Sequence, residues 1–450
     1  MAAVSTRLSI MMFLQFFTWG AWFPTLGQCL GVNKLSDISG DCYGTAPIAA
    51  IVAPLFLGLI ADRFFASQNV MGVLLLLGGG ALLAAPQFLT PGKEHILYWL
   101  ILAHFLCYMP TLGLGNTIAF ANIRDQSEFP KVRVWGTIGW IAAGLTVGFL
   151  GWSADARILS LAGACSIVLG VYCFTLPHTP PPAKDQPFDM RTIFMADAFG
   201  LLKQPAFFIF ILCSTLICIP LAYYYGNTAQ YLGQVGFKQP APTMTLGQMS
   251  EIVFMLLVPL FFRRLGVKGM ILVGMAAWAI RYLLFAFGAP DQVIWMILVA
   301  VVLHGICYDF FFVTGFMYTD RKAPADIRGQ VQSMLVFFTQ GIGMFFGFML
   351  ADRRFKAEVK QGYDALNAAI EAALGKQEPI GYVDSLKQIV EVARPVGVDP
   401  ALVAESMSNW KDFWLLPAAM AAAVLVLFAV AFRDRSADDM AAESGPGSTQ

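Results

Sequence analysis

Apolar residues along this chain come in long blocks rather than in alternation. Twelve blocks approach the roughly 20 residues that a helix needs to cross a hydrocarbon core: 8–30, 43–61, 70–89, 96–121, 133–151, 157–177, 206–232, 243–262, 268–288, 292–318, 329–351 and 411–432. The ten-residue alternation of a membrane β-barrel is not visible. The first block is too long for a signal-peptide core and has no small-residue cleavage site, so it reads as an uncleaved first span. The pattern predicts an all-α integral membrane protein of twelve transmembrane helices.

The polar segments between blocks alternate in charge. Arg63, Arg124, Arg263, Arg264, Arg321 and Lys322 fall in the even-numbered set of loops, whereas the short odd-numbered loops hold only Lys34, Lys93, Arg157 and Lys238. By the positive-inside bias, both termini are expected in the cytoplasm. Residues 178–205, opening with His178-Thr-Pro-Pro-Pro-Pro-Ala-Lys184, read as a cytoplasmic linker between residues 1–177 and 206–433, six spans on each side. Residues 352–410 read as a long outer loop with short amphipathic helices (Tyr363 to Leu374, Val383 to Val392), and 434–450 as a disordered tail.

The halves echo each other. His104-Phe-Leu-Cys107-Tyr108 in the fourth span recurs as His304-Gly-Ile-Cys307-Tyr308 in the tenth, and Pro54-Leu-Phe in the second as Pro259-Leu-Phe in the eighth. Two parallel six-helix repeats describe the major facilitator fold. Gly58-Leu-Ile-Ala-Asp62-Arg63 resembles the Gly-x-x-x-Asp-Arg core of that superfamily's loop motif, without its downstream basic residues.

Composition agrees: 58% of residues are hydrophobic and 13% charged, against about 25% charged in soluble domains. Mean hydropathy is +0.65. A net charge of zero offers no footprint for nucleic acid. The eight Cys contain no Cys-x-x-Cys pair; Cys29 and Cys42 flank the first outer loop, where a disulfide is one alternative and free thiols the other. The four His do not cluster with carboxylates at metal spacing, so neither a metal nor a cofactor is implied.

Ionisable groups inside spans cost at least ~2.5–3.5 kcal/mol on insertion scales, so each needs a reason. Gln248 and Glu251 stand three apart on one face of the eighth span. Away from water the charged form of a carboxyl is disfavoured, so Glu251 can take up and release a proton; the alternative is an interhelical hydrogen bond. Asp309 lies inside the tenth span beside Tyr308, where the first half has Met109, and its structural alternative is a pair with Arg281 or another helix. Arg133, Thr137 and Trp140 form a stripe of guanidinium, hydroxyl and indole opening the fifth span, or else an interfacial Arg beside a belt Trp.

Together these motifs resemble the bacterial nucleoside:proton symporter family of the major facilitator superfamily. The resemblance runs through Phe13-Leu-Gln15-Phe-Phe-Thr-Trp19-Gly20-Ala-Trp22, Tyr108-Met-Pro110-Thr-Leu-Gly113, Phe129-Pro130-Lys-Val-Arg133-Val-Trp135-Gly136-Thr137-Ile-Gly139, Gly226-Asn227-Thr228, Gln248-Met-Ser-Glu251 and Tyr308-Asp309-Phe-Phe. It implies solute binding by Arg133, Thr137, Trp140, Gln248, Glu251, His304 and Tyr308, and proton coupling by Glu251 and Asp309. Two departures bear on the solute. Pro220-Leu-Ala-Tyr223-Tyr224-Tyr225 replaces carboxamides before Gly-Asn-Thr, and His304 replaces a family Tyr.

The expectation is a monomeric, multi-pass protein of the inner (cytoplasmic) membrane that carries a nucleoside with a proton by alternating access. A facilitator transporter for a sugar or drug is the nearest rival. A membrane-embedded enzyme would need a nucleophile–base pair or metal cluster that the sequence does not display, and a non-transporting sensor would bind without flux.

Overall fold

The structure, a computed structural model, describes residues 2–56, 64–123, 129–181, 195–324, 327–374, 387–393 and 397–434. Where described, each apolar block lies on helical backbone. The first half comprises α1 (Ala2–Gly20), α2 (Ser39–Phe56), α3 (Ser67–Ala84), α4 (Glu94–Asn122), α5 (Phe129–Phe149) and α6 (Arg157–Cys173). The second opens with α7 (Pro205–Val235) and then the helical stretch Pro240–Gly288, divided at Gly266 (φ 61°, ψ −177°). Only glycine holds that conformation without strain, so the stretch turns back on itself as α8 (240–265) and α9 (267–288). Then follow α10 (Ile294–Lys322), α11 (Arg328–Ala373) and α12 (Pro400–Ala431). Among the described residues the β-pairing is a single isolated bridge, Phe237 with Val392.

Helix pairings repeat with an offset of six. Within the first half α1 packs on α5, α2 on α4 and α3 on α6; within the second α7 packs on α11, α8 on α10 and α9 on α12. The halves meet through α5 with α8 and α2 with α11, a pair of contacts related by the same exchange. This is the twelve-helix, two-half facilitator architecture. Its outside carries large apolar side chains: Leu77, Trp99, Leu256, Trp295 and Val430 are all more than half exposed. A water-soluble monomer rarely leaves so much apolar surface open, whereas a lipid-facing bundle requires it.

Several boundaries differ from the sequence reading. The first block breaks after Gly20 into a 3-10 turn, Phe23–Thr25, and a short helix, Leu26–Val32. Much of the segment read as an outer loop is helix: α11 runs on to Ala373, and α12 begins at Pro400. Charge marks the end of the apolar block but not of the helix, because Asp352–Lys356 (2.6 Å) and Arg354–Glu358 pair one turn apart. Buried Phe355 and Tyr363 then pack on Trp410 of α12. Asp399 caps α12 by accepting from the Ala401 N–H (2.9 Å), with Pro400 at the first helical position. At the tail, Asp434 accepts from the Tyr318 hydroxyl and pairs with Lys322, each at 2.6 Å. Cys29 and Cys42 are buried free thiols. The Gly58–Arg63 motif, residues 182–194 of the linker and residues 435–450 lie outside the described residues.

Candidate solute site between the two halves

Where α1, α5, α7 and α8 meet, a narrow cavity of ≈ 10 Å³ is lined by Gly20, Pro24, Trp140, Gly144, Tyr224, Tyr225, Ala241, Met244, Thr245 and Gln248. That is about the room one water molecule needs, so the two halves are nearly closed on this space and a solute requires them to part. Both halves contribute. The lining is mostly aromatic and aliphatic, with the Gln248 carboxamide as a fixed polar group whose Oε1 has no hydrogen-bond partner among the described residues. Trp140 is held edge-on by Trp19 (5.5 Å between ring centroids).

One helical turn from Gln248, Glu251 is buried at the seam and accepts from the Thr137 hydroxyl of α5 at 3.5 Å. One turn before Thr137, the Arg133 guanidinium sits over the Phe16 ring (4.1 Å) and within electrostatic reach of Glu251. The Arg133–Thr137–Trp140 stripe of α5 therefore faces the second half of the chain, with Thr137 on the carboxylate and Trp140 on the cavity.

Asp309 is fully buried, and neither of its carboxylate oxygens has a hydrogen-bond partner among the described residues. It begins a π-helical turn, Asp309–Val313, inside α10; such turns insert a residue into the helical ladder and are frequent at functional sites. Asp309 and Glu251 interact electrostatically, and two carboxylates in a water-poor bundle oppose each other's charge. The helices that carry them are joined closely. Ser250 donates to the Val302 carbonyl (2.6 Å) and accepts from the Gly305 N–H (3.0 Å), and a Cβ at position 305 would lie 2.6–2.7 Å from the backbone of residues 250 and 251. Glycine at 305 is what lets α10 reach α8 beside Glu251.

Arg281 does not pair with Asp309, the structural alternative left open by the sequence. Its guanidinium lies 3.3 Å over the Tyr224 ring, and Nη1 is 3.2 Å from His304 Nδ1. His304 stacks on Tyr224 (5.3 Å, 19°) and meets Tyr308 at 5.8 Å. His304 and Tyr308 are thus absent from the cavity lining; His304 forms a layer behind Tyr224 and Tyr225. Sequence spacing did not point to Pro24, Met244 or Thr245. Thr245 stands three residues before Gln248 on the same helix face, a signal that was available; Pro24 had none.

Beyond the cavity, at the end of the bundle opposite the termini, the halves are fastened together. Gln230 donates to the Gly27 carbonyl (2.8 Å), and Tyr43 stacks on Phe348 (5.2 Å, 13°). The Gly40 N–H donates to Asp352 (3.1 Å), and Lys360 pairs with Asp37 (3.0 Å).

Comparison with known proteins bears on the family and the fold. Residues 2–367 match the family described as "Nucleoside H+ symporter". The "Putative nucleoside transporter YegT" of Escherichia coli (strain K12) is 36% identical over 442 residues, covering 96% of this chain and 94% of that protein. The nucleoside permease NupG of the same organism is 30% identical over 365 residues, 77% of this chain and 87% of that one. The crystal structure of NupG superposes with a TM-score of 0.75 at 26% identity, covering 96% of this chain and 100% of that chain. The family is one of membrane transporters rather than enzymes, and this multi-pass chain belongs to it: the nucleoside H+ symporters.

Proposed function

We propose that the protein takes up nucleosides together with protons by alternating access, with the solute held in the cavity between α1, α5, α7 and α8. Trp140 and Tyr225 offer faces on which a base stacks. Gln248 supplies donors and an acceptor to ribose hydroxyls, and Glu251, one turn away, accepts from them. Arg133 and Thr137 hold Glu251 when it is charged. Tyr308 and His304 close the wall behind the base.

Protons enter through Asp309 and Glu251. A carboxylate buried without a partner is costly while charged. Protonation of Asp309 from the outer side removes that cost and permits the rearrangement that exposes the site to the other side; proton release then resets it. A membrane potential contributes ~2.3 kcal/mol per charge per 100 mV to such a step, enough to concentrate a neutral solute. With the termini in the cytoplasm of the inner membrane, the fastened end faces outward and the present arrangement is closed to the outside. The cavity is complete within one chain, so a monomer suffices.

The observation that supports this reading most is the pair of buried carboxylates at the seam, one bridged across the halves by Thr137 and the other without a partner. The test is uptake of radiolabelled uridine and inosine into cells expressing the protein, with and without a protonophore, against competing unlabelled nucleosides and sugars. Accumulation that collapses with the protonophore and is displaced by nucleosides alone is expected. Displacement by sugars alone, or accumulation indifferent to the protonophore, contradicts it.

A further inference from the structure

The turn of α8 that carries Gln248 and Glu251 rests directly on α10. A Cβ at Gly247 would lie 2.9 Å from the Cβ of His304 and 3.0 Å from the Val301 carbonyl, so the two helices meet at backbone distance. Ser250 bonds them there. A hydroxyl has one hydrogen to give and lone pairs that receive. The hydrogen is shared between the carbonyls of Val302 in α10 (2.6 Å) and Gly247 in α8 (2.7 Å), and the oxygen accepts from the Gly305 N–H (3.0 Å). One side chain thus grips α10 at a carbonyl and at an amide.

The gripped helix is irregular on both sides of His304–Tyr308. It is interrupted at Leu303 (φ −58°, ψ −9°), is regular over His304–Tyr308, and then enters the π turn that Asp309 begins. Side chains inserted into the helical ladder and π turns are both places where helices bend, so this segment is a short rod between two joints. Gly305 and Asp309 stand four apart on one face of it, and Ser250 precedes Glu251 in α8. The grip therefore lies between the two buried carboxylates.

The first half has no such grip. The spacing that matches Pro54 to Pro259 also matches Thr45 to Ser250 and Cys42 to Gly247. Thr45 makes the bond within its own helix, donating to the Cys42 carbonyl at 2.6 Å. In place of Gly305 stands Phe105, whose ring packs on Trp22 and Phe23, and in place of Glu251 and Asp309 stand Ala46 and Met109. The bond across helices accompanies the carboxylates.

We infer that Ser250 is a positioning residue that carries a displacement of α10 at Asp309 to Gln248 and Glu251, so that neutralising the proton site resets the solute site. The inference rests on the proton–nucleoside reading proposed above. A rod held by apolar contact alone can slide past its neighbour. One bonded at a carbonyl and an amide would leave a buried acceptor and a buried donor unpaired if it slid, so the turn 247–251 moves with it.

The experiment uses the full-length protein in vesicles with a trapped pH-sensitive dye, and reads counterflow of radiolabelled uridine together with protons entering per uridine. Ser250→Ala removes the grip and leaves both carboxylates in place. Its counterflow should stay within about twofold of native, while its protons per uridine fall below about half. Accumulation under an imposed proton gradient should fall roughly tenfold, the scale of one buried hydrogen bond. Ser250→Thr keeps the hydroxyl and should keep the native ratio, as should Thr45→Ala at the matching place. A packing role alone would slow entry and leave protons per uridine unchanged. A native ratio in Ser250→Ala, a lowered ratio in Thr45→Ala, or a lowered ratio in Ser250→Thr each overturns the inference, the last two even if Ser250→Ala does not fold. Uridine entry through the native protein without protons overturns the symport reading and this inference with it, whereas coupling that survives Ser250→Ala overturns the inference alone.

Discussion

The fourth and tenth spans carry the same motif and do different things with it. In α4, His104 stacks on Tyr108 (5.5 Å, 23°) and lies edge-on to Trp22, the Tyr108 hydroxyl donates to the Gln15 carbonyl (2.6 Å), and the next residue is Met109. The hydroxyl ties α4 to α1 and Trp22 ties it to the turn after α1, and the result is a packed, uncharged wall. In α10, His304 faces a buried Arg281, Gly305 replaces the bulky Phe105, and the residue after Tyr308 is Asp309, fully buried at the start of a π turn. The lesson is that one half supplies a rigid frame from the same pattern that the other half loads with charge. The seam between them is where buried charge can be neutralised by a proton and matched by a solute.

The most severe way to break the contrast is to give α10 the α4 residue at the closest contact. Gly305→Phe drives a ring into the backbone of residues 250 and 251, and should destabilise the bundle by ~3 kcal/mol or more, the upper range for overpacking. Scanning fluorimetry in detergent would show the fall in Tm; a native Tm would mean that α8 and α10 are not held as described. Next in size, Asp309→Asn should abolish coupling while leaving downhill exchange intact. At 100 mV this forfeits roughly fifty-fold accumulation, the equivalent of ~2.3 kcal/mol. Met109→Leu at the matching place should leave accumulation native, and equal losses at both positions would erase the distinction between the halves.

A smaller effect is expected at the cross-half contact. Glu251→Gln keeps the shape of the side chain but weakens its acceptor, and should reduce uridine affinity roughly tenfold in equilibrium binding, the difference between charged and neutral hydrogen bonds. Binding at native strength would remove Glu251 from the site. The smallest concerns the fastened end: Lys360→Ala breaks an exposed pair with Asp37, and exposed pairs contribute less than about 1 kcal/mol. Its uptake rate should stay within about twofold of native, and a larger change would show that this end controls the cycle.

What could be read from the sequence follows from what spacing encodes. The spans were legible because lipid demands some twenty apolar residues per crossing, and the repeat because His104 and His304 keep the same neighbours four residues on. The Gln248–Glu251 face was legible because residues three apart share a helix face. Pairings between distant helices are not encoded in spacing: nothing along the chain says that Arg281 meets His304 and Tyr224 rather than Asp309. The extension of α11 was hidden for a different reason, since Asp352–Lys356 and Arg354–Glu358 end the apolar block while strengthening the helix. The π turn at Asp309 leaves no mark in composition.

The central claim is that a proton crosses with the solute because buried Asp309 must be neutralised. The most direct measurement places purified protein in vesicles containing a trapped pH-sensitive dye, with no initial gradient, and adds uridine outside. The account predicts that the interior acidifies as uridine enters, and that Asp309→Asn admits uridine without acidification. Uridine entry through the native protein with no change in internal pH would contradict it.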